Sequence, residues 1–218
     1  MTGPPQSSDE LTAAVLLVAA DIDTLHDAGV GRVLIGVTGP PGAGKSTFAE
    51  LLVTRISAAY VPMDGFHLSN AQLGRLGRRA RKGAVDTFDV DGYVALLERI
   101  AAAQGDVYVP GFDRALEEPV AAAHVVPAAA RVVITEGNYL GLAVPGWQAV
   151  RPLLHRLYYL DCPAALRRER LVARHIAGGR SRAAARAWVD EVDEPNAVLI
   201  AGTRAVCDRV FDIAQSTP

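Results

Sequence analysis

The residues with the plainest chemical meaning are Gly39 to Thr47, read GPPGAGKST. Gly39, Gly44, Lys45 and Ser46 fit G-x-x-x-x-G-K-[ST], a phosphate-binding loop pattern. Glycines at such positions let the backbone wrap until its N–H groups converge on phosphate oxygens. A helix starting at the end of the loop presents its positive end to the same anion. The loop residues Gly39, Pro40, Pro41, Gly42, Ala43 and Gly44 are therefore expected to embrace a nucleotide's phosphates. Lys45 would neutralise the β- and γ-phosphates, Ser46 would join a Mg²⁺ shell, and Thr47 would reach the α-phosphate. A nucleotide site alone does not separate a kinase from a motor or a switch.

Two acids follow short apolar runs. Asp64 comes after YVPM and leads into GFHLSN, while Glu136 comes after RVVIT and leads into Gly137, Asn138 and Tyr139. If both runs are strands of one sheet, both acids point to the end where ligands gather. Glu136 would hold Mg²⁺, directly or through its water, with Ser46 and with Asp64 at its border. Asp64 would accept the proton of an alcohol that attacks a phosphate. The plainer alternative for Asp64 is a turn residue, since Asp-Gly pairs favour turns. Asp161 also ends an apolar run, YYLD, but capping the next helix explains it better. Arg167, Arg170 and Arg174 recur at i, i+3 and i+7, on one face of a helix. Gly178 and Gly179 follow as a flexible break. A mobile arginine-bearing pair of helices could close over phosphates and exclude water, with Arg170 and Arg174 the preferred pair.

Elements able to hold these groups alternate along the chain. The strand candidates are RVLIGVT, AAYVPMD, RVVITEG, HRLYYLDC and RVFDIA, and DVYVPGF reads as extended. Between them lie helical patterns: STFAELLVTRI, with Phe48, Leu51, Leu52 and Ile56 on one face, and VDGYVALLERIAAA, with Asp89 as its N-cap. PAALRRERLVARHIA starts at Pro163, and SRAAARAWVDEV and EPNAVLIAGTRAV make two further helices. A first helix should begin at the Ser7–Glu10 capping box and stop at Gly29. The basic stretch of residues 75–82 reads as an exposed loop. Strands alternating with helices predict an α/β fold, a mostly parallel five-stranded sheet with helices on both faces and a helical lid at about 167–190. Residues 1–8 are expected to be disordered and 9–218 to form a single domain.

The chain has 218 residues, half of them apolar, and a formal net charge of −2. That balance gives no global attraction to nucleic acid or membrane. The apolar run LTAAVLLVAA is preceded by acids and ended by Asp21 and Asp23, unlike a signal peptide or a membrane span. Two cysteines, Cys162 and Cys207, make neither a metal motif nor a disulfide framework, which fits a reducing cytoplasm.

GPPGAGKST, MDGF, TEGNYL and RRERLVARH with GGRS, taken in order, resemble the phosphoribulokinase/uridine kinase family of P-loop kinases. Type I pantothenate kinases and fructokinase-like proteins belong to that family. The resemblance covers roughly residues 30 to 213. It implies a parallel five-stranded core, a mobile lid, ATP and Mg²⁺. It also implies that Asp64 is the base, that Glu136 is the strand-end acid and that Arg170 and Arg174 are the lid arginines. Lys82, Gly83, Thr87, Phe88 and Asp89 are similar to a segment of the pantothenate kinases. PGFDR with EEP looks more like the fructokinase-like branch. Asp113 and Arg114 are expected at the acceptor, with Phe66, His67 and Tyr139 lining the way. By the family's layout Asn196 would lie near the adenine. The combined expectation is an ATP-dependent kinase acting on a hydroxyl of a small polar metabolite, with a nucleotide-dependent switch as the competing class. The same reading allows a homodimer.

Overall fold

The computed structural model describes residues 6–213, with side chains from Leu11 onward. The Ser7–Glu10 capping box lies outside the described side chains. Helix α1 spans Gln6–Asp27, so residues 6–8 are helical where disorder was expected. Gly29, at φ +88°, follows the helix end as expected. The strands and helices that follow are β1 (Val33–Thr38), α2 (Lys45–Ile56), β2 (Ala59–Pro62), α3 (Asn70–Arg75), α4 (Val90–Ala102), β3 (Val107–Asp113), β4 (Glu118–Val126) and β5 (Val132–Glu136). The chain ends with β6 (Arg156–Asp161), α5 (Ala164–Ala177), α6 (Arg182–Trp188), α7 (Glu194–Ala201) and β7 (Arg209–Asp212).

The five expected strands form one parallel sheet in the order β2-β5-β1-β6-β7. β1 is central, so the loop after it sits where the connections turn from one side of the sheet to the other, the place where such sheets bind ligands. Every residue of β1 and β5 is buried, which accounts for their unbroken apolar runs. Alternation then sorts the side chains to two cores. Leu34, Val61, Val133 and Leu157 face α4 and the Tyr139–Trp147 cluster. Ile35, Val37, Ile134 and Leu160 face α1 and α2 through Val18, Phe48 and Leu52. Burying each such side chain contributes about 1.5–3 kcal/mol. Leu51, expected on the buried face of α2, is instead exposed.

β4 was not expected from the sequence. It pairs antiparallel with β3 as a separate two-stranded sheet, and most of its residues are solvent-facing. Its AAA run carries no strong strand signal; pairing with β3 creates the strand. The basic stretch starts at the last residue of α3 and holds a 3-10 turn at Arg79–Arg81, pinned by Arg78 and Arg81 on Asp86. Asp89 caps α4 by accepting from the Gly92 N–H at 3.0 Å. Asp161 does not cap α5. Its carboxylate accepts from the Cys162 N–H at 2.9 Å and pairs with Arg204, while Pro163 occupies the cap position. The helices expected at SRAAARAWVDEV and EPNAVLIAGTRAV run into each other through a π-helical turn, Val189–Asp193.

The hairpin meets the end of β2 at Gly65, where a Cβ would lie 2.3 Å from the Pro110 carbonyl oxygen. Backbone, unlike a flexible side chain, cannot move aside locally. Gly65→Ala should therefore destabilise the fold by about 1–3 kcal/mol, read as a drop in urea midpoint with little change in slope.

Candidate active site

The loop after β1 takes a shape that only its glycines permit. Gly39, Gly42 and Gly44 have φ of +145°, +78° and +93°. A Cβ on Gly39 would sit 2.3 Å from the Leu160 carbonyl oxygen. α2 begins immediately at Lys45, so Ser46 and the exposed Thr47 stand in its first turn. The resulting cradle fits a chain of phosphates: no side chain crosses Gly44, whose nearest heavy atom to an added Cβ is Arg170 Nη1 at 4.0 Å.

Sheet register delivers the acids. Glu136 lies level with Val37 on one side and Pro62 on the other. It is 4% exposed, and its Oε1 accepts from Ser46 Oγ at 3.2 Å and from the Tyr60 hydroxyl at 3.0 Å. Burial raises its pKa, as does the nearby charge of Asp64, while Lys45 and the two hydroxyls oppose that rise. The Lys45 ammonium is buried and donates to the Pro40 carbonyl at 3.1 Å. Its pKa falls to about 8, chiefly through burial, against the pull of Glu136 and Asp64. Hard oxygens from one hydroxyl and one carboxylate suit a magnesium ion that takes its other ligands from phosphate and water. Among the described residues, no cluster of three or more His, Cys, Asp or Glu could hold a metal unaided.

β2 stops at Pro62, and Asp64 stands in a 3-10 turn, Met63–Phe66, rather than on the strand itself. Its side chain is about a third exposed, 3.5 Å from Arg114 Nη2. Its backbone carbonyl accepts from the His67 N–H at 3.2 Å and lies 2.8 Å from His67 Nδ1. His67 packs between the rings of Phe88 and Phe112, with centroids at 4.0 and 4.8 Å, and burial lowers its pKa. The Lys82 ammonium lies 5.1 Å from the Phe112 ring centre.

The arginine stripe divides its work. Arg167, 6% exposed, donates to the Pro41 carbonyl at 3.3 Å and pairs with Glu194 at 3.4 Å. Arg170 Nη1 donates to the Gly42 carbonyl at 3.3 Å. The pKa of Arg174 is lowered, chiefly by burial and then by Arg114, against the pull of Asp193, Asp64 and Glu117. The end of α5 is tied to the π-helical turn by His175 Nε2 and Asp193 at 2.8 Å.

Several expected residues have other duties. Phe66 is buried and packs at a tilt against Tyr93 with ring centres 5.1 Å apart, so it belongs to the core. Asp113 Oδ1 accepts from the Ala115 and Leu116 amides at 2.8 and 3.0 Å and shapes the hairpin turn. Tyr139 is fully buried and donates to the Gly83 carbonyl at 2.6 Å; Asn196 Nδ2 reaches the same oxygen at 3.3 Å. Both residues hold the basic stretch in place. A cleft of about 570 Å³ beside the loop is lined instead by Pro40, Arg167, Ala197, Val198, Ala201 and Ile213. Tyr60 escaped the sequence reading. Arg167 belonged to the stripe but was not preferred. Tyr60 looked like one more strand aromatic.

No family model matches the chain. A Schizosaccharomyces pombe protein provisionally named a uridine kinase is 36% identical over 162 residues, 68% of each chain. The uncharacterized YggC of Escherichia coli is 37% identical over 173 residues, 76% of this chain and 71% of its own. A structure from Silicibacter sp. TM1040, provisionally described as a fructose transport system kinase, is 38% identical. It superposes with a TM-score of 0.77 over 83% of this chain and 90% of its own.

The buried lysine gives a pH test. A lysine whose folded pKa is depressed costs stability while charged and regains it as pH rises from about 8 toward 10.5. Lys45→Met should therefore melt higher than the native chain at pH 7, by about 1–3 kcal/mol of stability. That advantage should shrink steadily above pH 8 in thermal melts.

Proposed function

The chain belongs to the phosphoribulokinase/uridine kinase family of P-loop kinases, and on that premise we propose how its residues divide the work of phosphorylating a small-molecule hydroxyl with ATP. Lys45 and the amides of the glycine loop bind the β- and γ-phosphates. The cleft beside Pro40 and Ala197 takes the nucleotide's base. Ser46 and Glu136 hold magnesium, which when bound neutralises phosphate charge. Asp64 accepts the hydroxyl proton as the acceptor oxygen attacks the γ-phosphorus. The bond from that phosphorus to the bridging oxygen breaks, and ADP leaves. Arg174 and Arg170 face the transferring group when the lid, at about 167–190, closes about Gly178 and Gly179. The residues from 9 onward act as one kinase unit, and the free Cys162 and Cys207 suit a cytoplasmic setting.

What carries this reading is the convergence of four groups at one end of the sheet: Lys45, Ser46, Glu136 and Asp64, three of them linked by mutual electrostatic effects. Asp64 is accessible where Glu136 is sealed, so the two carboxylates suit different tasks. For the acceptor, a polyol or hydroxy acid fits better than a nucleoside. Phe112 is already engaged by His67 and Lys82, which leaves a poor platform for a stacked base. Arg114 stands 3.5 Å from Asp64, where it would meet a polar or anionic acceptor.

Asp64→Asn should lower turnover by roughly 10²–10⁴-fold while leaving the Kd for Mg·ATP within a factor of about two. Normal turnover in that variant would remove Asp64 from the role of base. ADP release, measured against hexoses, hydroxy acids, pantothenate and nucleosides, should rise with one acceptor class. Equal hydrolysis across the panel would favour a switch-type NTPase.

A further inference from the structure

Glu136 is a buried carboxylate, and such a group needs donors. The Ser46 and Tyr60 hydroxyls both donate to the same oxygen, Oε1. When Ser46 turns its oxygen toward a cation, Tyr60 is the donor of the two that keeps its bond to Oε1. The ring of Tyr60 is in turn held from the hairpin. His124 of β4 meets it edge-on, centroid to centroid 5.6 Å, at an interplanar angle of 84°. His124 stands there because the hairpin is irregular: the β3–β4 register shifts between Val109 and Gly111, and Ala122 has φ +55°. Such bulges re-aim side chains. Gly111 makes the fit, since a Cβ there would lie 2.8 Å from His124 Nε2. The tip of the same hairpin carries Arg114, 3.5 Å from Asp64. One element thus touches the exposed acid directly and the buried one through His124 and Tyr60.

We propose that Tyr60 is a positioning residue for the Glu136 carboxylate, holding it in place for the metal and tying its setting to the β3–β4 hairpin. The proposal rests on the reading in which Ser46 and Glu136 hold magnesium. Tyr60 touches neither nucleotide nor acceptor in that reading, so its effect must pass through Glu136.

Calorimetric titration with a non-hydrolysable ATP analogue, with and without Mg²⁺, separates the two ideas without measuring turnover. Metal-free affinity should be the same in the native chain, Tyr60→Phe and His124→Ala, where it doubles as a check on folding, and no weaker in Glu136→Gln, which removes a negative charge beside the phosphates. The gain in affinity on adding Mg²⁺ should vanish in Glu136→Gln and fall roughly tenfold in Tyr60→Phe. His124→Ala should shift it in the same direction by less. A full magnesium gain in Tyr60→Phe, with none in Glu136→Gln, would overturn the Tyr60 proposal and leave the metal assignment standing. A full gain in Glu136→Gln would overturn the metal assignment and the proposal with it. Loss of metal-free binding in Tyr60→Phe would mark Tyr60 as a packing residue and overturn the proposal as well.

Discussion

The site depends on a carboxylate that the sheet keeps out of water. Glu136 is level with the ends of both β1 and β2, so moving it would mean re-registering the middle of the sheet. A buried acid is costly unless charge and hydrogen bonds offset the loss of water. Here the offset comes from three directions: Ser46 at the start of α2, Tyr60 on β2 and the charge of Lys45. The penalty is shared, because burial also depresses Lys45. Phosphate and a divalent cation are the partners that would relieve both groups together. The site is in this sense built for a charged guest.

Around that centre α5 supplies the outer contacts. α5 touches the loop through Arg167 and Arg170, both of which donate to its carbonyls. Further along α5, Arg174 lies within the electrostatic reach of Asp64 and Arg114. The π-helical turn at Val189–Asp193 joins α6 to α7, and His175 fastens α5 to it. Such turns break helical regularity where function needs it. In the proposed reading Arg167 and Arg170 anchor α5 to the loop and Arg174 is the contact that would move with the lid.

Much of this was legible in the sequence where local chemistry and global packing agree. β1 and β5 announce themselves as β-branched runs because both sheet faces are covered there. The loop glycines could be read because no other residue tolerates those backbone angles beside Leu160. What stayed hidden depends on tertiary partners. β4 has a weak strand signal and exists by pairing with β3. Tyr139 and Asn196 carry polar groups that suggest ligands, yet both are spent on the Gly83 carbonyl. Asp113 is spent on its own turn. Tyr60 is the reverse case, since a strand aromatic gives no hint that its hydroxyl crosses to an acid 76 residues away.

Central to the account is that the γ-phosphate of ATP goes to a small-molecule hydroxyl and not to water. Phosphorus-31 NMR of the protein with Mg·ATP and the small-molecule fraction of a cell extract follows every phosphate at once. The account predicts a new phosphomonoester resonance that grows in step with ADP while orthophosphate stays flat. ADP and orthophosphate growing together, with no new ester, would contradict it.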